Sequence, residues 1–277
     1  MKPAKAAYQL THLWRNICPG DLYPIDCRLL ASALNIKVAS AAIDDDFEAQ
    51  LRIRIDKNGV QKKAIIYNEN IREEGRINFC IAHELGHNSC HVDKKEFFCS
   101  SEDLNDMAPH PMNIEQEANS FAATLLMPGD DFRTQLDGQP IALSTLSRLA
   151  ENRYKTSLTA TCFRLIELSP KKHYGMVVVQ NNKVRWWKRS EAMRWTGFGF
   201  QSRQSITTVG DENINPLKVD SNIWLNKKNA PRWEITQSSV HMPYYNQTLI
   251  LITASPAEIR DDLEESDTDE TTMPTFH

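Results

Sequence analysis

Residues 83–87 read His-Glu-Leu-Gly-His, and no other stretch restricts the fold of this chain as tightly. On an α-helix, positions i and i+4 share a face, so His83 and His87 present their imidazoles one turn apart. Glu84 is turned about 100° away from His83. Two imidazoles spaced in this way can share one tetrahedral metal ion, leaving the adjacent carboxylate to act on water. The flanking residues support a helix. Ile77, Cys80, Ile81 and Leu85 form an apolar stripe, and no proline interrupts residues 72–92. The plain alternative is a polar helix face carrying two solvated histidines.

A second motif argues against that alternative. A catalytic zinc needs a third protein ligand and one open position. Residues 115–128, Glu-Gln-Glu-Ala-Asn-Ser-Phe-Ala-Ala-Thr-Leu-Leu-Met-Pro, form a second helical segment able to supply it. Ile114, Glu117, Phe121 and Leu125 follow a helical period, which places Glu117 on the buried face. A carboxylate there is costly unless paired or bound to a metal. Glu115 sits two places earlier, roughly on the opposite side, and is expected as a solvated carboxylate favoured by the helix dipole. The expected metal ligands are therefore His83, His87 and Glu117, with Glu115 the second choice for the third position. Glu84 is the expected general base.

Together, residues 76–87 and 117–128 resemble the ImmA/IrrE family of zinc metallopeptidases. Residues 24–31 with 34–38 are similar to the family's opening helix and strand, and residues 64–68 to the strand before its metal-binding helix. The likeness spans residues 20–130 and weakens towards 168. It implies a gluzincin-like peptidase using Zn2+. It also implies a protein substrate, a helix-turn-helix transcriptional repressor, whose cleavage releases a stress, DNA-damage or mobile-element response. The chain departs from the usual family pattern in carrying Cys80 and Cys90 in or beside the metal-binding helix.

The bulk properties restrict the class further. At 41% hydrophobic and 25% charged residues, the 277-residue chain has the balance of a water-soluble globular protein. It has no apolar run of membrane-spanning length and no signal-peptide core, so a cytoplasmic location and no membrane contact are expected. Six scattered cysteines without a Cys-x-x-Cys pair argue against a disulfide framework. A net charge of -4 argues against a dedicated nucleic-acid binder. Cys90, His91 and Cys99 lack the spacing of a structural zinc knuckle, and inert thiols are the preferred reading.

The expected fold class is α+β. A zincin-like peptidase domain fills residues 1–130, with helices near 6–16 and 26–34 and a small antiparallel sheet containing strands near 51–55 and 64–67 around a turn at 56–59. Residues 93–113 are polar and read as a loop. Residues 131–170 hold two helical patterns in a helix-turn-helix-like arrangement, for which a structural or substrate-docking role is preferred to DNA reading. A β-rich domain, regulatory or sensing, follows over 171–256, opening with a hairpin around Asn181-Asn182. Its Trp186, Trp187 and Trp195 lie among basic residues, a texture that suits single-stranded nucleic acid, although core tryptophans with solvated cations are preferred. An acidic tail over 257–277 is expected to be disordered. Tyr67, His91, His110 and Tyr154 are candidates for stabilising an oxyanion. The rival functional reading is a zinc-fold regulator that binds a transcription factor or DNA without turnover, and an intact Glu84 argues against it.

Overall fold

The computed structural model describes residues 2–43, 47–91, 96–100, 114–201, 203–206 and 212–257. The acidic residues from 258 onward, His110 and most of the expected 93–113 loop lie outside them. The chain opens with α1 (Pro3–Ile17), whose Ala6, Ala7, Leu10 and Trp14 are buried. Helix α2 (Cys27–Ala33) begins where the Asp26 carboxylate accepts from the backbone N–H groups of Arg28 and Leu29, at 2.8 and 3.0 Å.

Strands β1 (Ile36–Ala41), β2 (Phe47–Ile55) and β3 (Gln61–Asn68) follow, then α3 (Glu74–Cys90) and β4 (Glu96–Ser100). The sheet order is β1-β3-β2-β4. Two expectations are corrected here. The sheet is mixed, because α2 precedes β1 and the chain reaches β3 only through β2, so β1 runs parallel to β3. Part of the expected 93–113 loop is also an edge strand, with β4 pairing antiparallel to β2 through Phe97 and Phe98.

Alternation sets the inner face of the sheet. Leu51 and Ile65 are register partners, both fully buried in one cluster with Ile77, Ile81 and Leu85 of α3. At the β2–β4 register shift between Phe47 and Ala49, Glu48 meets α3, where Arg76 donates to both of its carboxylate oxygens.

Beyond α3, α4 (Ile114–Leu126) crosses close to it, and α5 (Gly129–Leu136), a helix not foreseen in the sequence, follows at once. Helix α6 (Leu143–Arg148) runs into a π-helical turn over Leu149–Tyr154, and α7 (Leu158–Leu168) completes the helical part. Asp131 on α5 ties that turn down, accepting from Tyr154 Oη at 2.6 Å and from two guanidinium nitrogens of Arg153.

The C-terminal sheet has order β6-β5-β9-β8-β7 and is antiparallel throughout, built from β5 (Tyr174–Gln180), β6 (Lys183–Arg189), β7 (Leu217–Val219), β8 (Trp233–Met242) and β9 (Gln247–Pro256). Asn181 and Asn182 both adopt positive φ, at 50° and 57°, as a two-residue hairpin turn requires. Successive residues of β5 and β9 serve two cores. Val177, Val179, Ile250 and Ile252 pack with Phe198 and Trp224 on one face. Met176, Val178, Leu249 and Leu251 join Leu165 and Ile166 of α7 on the other, in the same cluster as the α3 core. Trp186 stacks on Phe163 of α7 at 5.4 Å, and Trp187 donates to the Phe200 carbonyl at 2.9 Å, while Trp195 is 73% exposed. The tip between β8 and β9 also reaches the first turn of α3, where Arg76 donates to the Tyr245 hydroxyl.

Because the helical and β-rich parts share this buried cluster, they are expected to unfold together. Leu249→Ala removes a fully buried side chain and should cost about 2–5 kcal/mol. Tryptophan fluorescence, dominated by the C-terminal sheet, and helical circular dichroism should still lose signal at one denaturant concentration. Two separated transitions in either the parent or the variant would disprove the coupling.

Candidate metal centre

His83, Glu84 and His87 are all fully buried on α3. Their surroundings follow from Gly86, which lies between them and α4. A Cβ at Gly86 would stand 3.1 Å from the Ala118 Cα and 3.1 Å from the Phe121 ring, so only glycine lets the two helices approach this closely. That approach brings the first turn of α4 over the histidine row.

The carboxylate that reaches the histidines belongs to Glu115. Its Oε2 lies 3.2 Å from His83 Nε2 and 3.2 Å from His87 Nε2, and the two Nε2 atoms are 3.0 Å apart. The expected third position, Glu117, points elsewhere. Its Oε2 lies 2.8 Å from His91 Nε2, and its side chain is 33% exposed. The physical reason is that α4 meets α3 through small and polar residues. Ala118 and Asn119 face α3 beside Gly86, so Glu115 shares their side of the helix. The period of large apolar residues that selected Glu117 tracks the wider core instead.

Asn119 is a residue the sequence reading did not single out. Its Oδ1 accepts from His83 Nδ1 at 2.9 Å, which leaves the lone pair of His83 on Nε2, directed at Glu115 and His87. The i, i+4 spacing of Glu115 and Asn119 on a helix facing the histidines was the available signal. Burial holds the His87 pKa below the ordinary histidine value, so its imidazole is neutral at pH 7 and able to donate electrons to a metal. Burial raises the Glu115 pKa, but hydrogen bonds from the His83 and His87 rings, made when an Nε2 carries a proton, outweigh this and hold the carboxyl well below the usual range; a metal ion takes the place of that proton.

Three electron-pair donors therefore converge, all within 4.8 Å of one another. With neither a proton nor a metal ion between them these lone pairs repel. A tetrahedral zinc with bonds of about 2.05 Å has ligand–ligand edges of about 3.3 Å, close to the spacing found here. The donor set of two imidazoles and one carboxylate fits that ion.

The other candidates are placed as follows. Tyr67 carries the Arg28 guanidinium over its ring at 5.6 Å. Tyr154 is fully buried and donates to Asp131, a contact that commits it to the π-turn rather than to an oxyanion. His91 Nδ1 lies 3.1 Å from His87 Nδ1. The side chain of Cys99 lies outside the described residues. Burial raises the Cys90 and Cys80 thiol pKa values, which keeps both protonated and poor as metal ligands.

A helix bearing His-Glu-x-x-His, backed by a mixed sheet and crossed by a second acidic helix, defines a domain of the metallopeptidase type. Residues 31–165, from α2 into α7, match the Peptidase_M78 model, described as an IrrE N-terminal-like domain, so this part of the chain is a domain of the ImmA/IrrE family, with its zincin-like fold. No curated protein matches the chain. Among the described residues no helix is long and apolar enough to cross a membrane.

Two substitutions test the centre. Glu115→Gln should lose the metal on purification, whereas Glu117→Gln should retain most of it, as read by elemental analysis. The reverse order would restore the sequence-based assignment. Gly86→Ala gains up to about 1 kcal/mol of helix propensity. It also forces α3 and α4 apart at a cost of about 1–3 kcal/mol. The net effect should be lower thermal stability and weaker metal retention.

Proposed function

We propose that the chain is a zinc-dependent endopeptidase in which His83, His87 and Glu115 hold the ion and Glu84 acts as general base. The observation that carries this reading is the convergence of two imidazole Nε2 atoms and one carboxylate oxygen next to a fully buried glutamate. When bound, zinc supplies Lewis acidity at the scissile carbonyl and makes water a stronger acid. Glu84 takes the proton of the attacking water and hands it to the leaving amine. Asn119 fixes the tautomer of His83, and the buried setting of the histidine row keeps competing solvent away.

The proposed substrate is a helix-turn-helix repressor whose cleavage releases a stress or mobile-element response in the cytoplasm. Family membership is the support for it. Helices α6 and α7 with the C-terminal sheet are proposed to select that substrate or to govern when it is cut.

Glu84→Gln preserves shape and removes the base. Incubating parent and variant with candidate repressors and weighing the fragments should show cleavage by the parent. A loss of about 100-fold to 10,000-fold is expected in the variant. Both proteins should hold equal zinc. A fully metal-loaded parent that binds a repressor tightly yet never cuts it would favour the rival regulator without turnover, and undiminished cleavage by the variant would remove Glu84 from its role.

A further inference from the structure

The first turn of α4 sends two carboxylates towards α3, and the metal centre uses only that of Glu115. Glu117 contacts His91, and His91 in turn contacts His87, a sequence of 2.8 and 3.1 Å steps along the i, i+4 row of α3. The direction of these bonds follows from the chemistry of the end groups. A carboxylate accepts, so His91 Nε2 donates to Glu117. With that N–H on Nε2, the His91 ring has its lone pair on Nδ1, where it accepts from His87 Nδ1–H. That bond leaves the lone pair of His87 on Nε2, the atom facing Glu115 and His83. His91 is nearly enclosed, with 8% of its side chain exposed, so this geometry is held by packing.

We propose that Glu117 and His91 form a positioning relay that fixes the tautomer and ring orientation of His87, as Asn119 does for His83. The inference rests on the zinc-site reading above and adds two residues that touch neither metal nor substrate. It also accounts for two acids in one helical turn: Glu115 would hold the ion, and Glu117 would orient a ligand through His91.

A relay has a signature that simple packing lacks, because it makes the effect of Glu117 on the metal depend on His91. The readout is zinc affinity, measured by competition with a chromogenic chelator on the full chain, with cobalt absorption reporting ligand geometry. His91→Phe keeps a ring but removes the acceptor, and should weaken zinc binding about 10-fold to 100-fold. Glu117→Leu should do the same. The double variant should be no weaker than His91→Phe alone, a fully non-additive cycle. His91→Gln can accept from His87 and donate to Glu117, and should restore affinity to near the parent value.

Additive losses in the double variant, or no rescue by His91→Gln in a folded protein, would overturn the relay. Unchanged affinity in both single variants would do so too. The parent reading fails separately: if His83→Ala and Glu115→Gln keep their zinc, the centre itself is misplaced, whatever His91 does.

Discussion

The close crossing of α3 and α4 at Gly86 is the contact on which the rest depends. It is the reason that a residue one turn before Asn119 can stand against two histidines on another helix. A bulkier residue at position 86 would hold the helices apart by the size of a methyl group, enough to turn ligand contacts into separations that water fills. The sheet behind α3 serves the same geometry, since Leu51 and Ile65 press on the face of α3 that carries Ile77, Ile81 and Leu85. The histidine row is thereby aimed at α4.

Electrostatically, the site is a concentration of electron pairs on largely buried side chains. His87 is kept neutral by burial, and Glu115 is kept ionised by its imidazole neighbours. These opposing shifts suit a metal site, because both groups are in the form that donates to a cation. They would be a liability in a centre meant to remain without one.

Much of this was legible in the chain. The His-Glu-x-x-His spacing locates α3 and its two imidazoles, because a helical repeat converts sequence distance directly into direction. The Asn181-Asn182 turn was equally plain, since few residues accept two successive positive φ values. It is Glu115 and not the expected Glu117 that reaches the histidines, because hydrophobic period reports burial, whereas the direction towards His83 and His87 depends on which side of α4 meets Gly86, a tertiary fact. Residues 96–100 read as loop because an edge strand gains its pairing from a distant partner, β2. Helix α5 was missed because Pro128-Gly129 signals an ending, and here the same proline opens the next helix, its carbonyl accepting from Phe132 N at 2.9 Å.

The contact between Arg76 and Tyr245 gives α3 a fastening from outside the peptidase domain. Glu48 on β2 grips the same arginine, and Lys63 on β3 donates to Asn88 near the other end of the helix at 2.6 Å. A helix held near both ends resists screw motion, in which a slide of about 1.5 Å along the axis accompanies a turn of about 100°. Such a slip by a single residue would swing the imidazole row clear of Glu115. The tip of the C-terminal sheet, through Tyr245, is thus one of the contacts that hold α3 in the rotation that faces His83 and His87 towards Glu115.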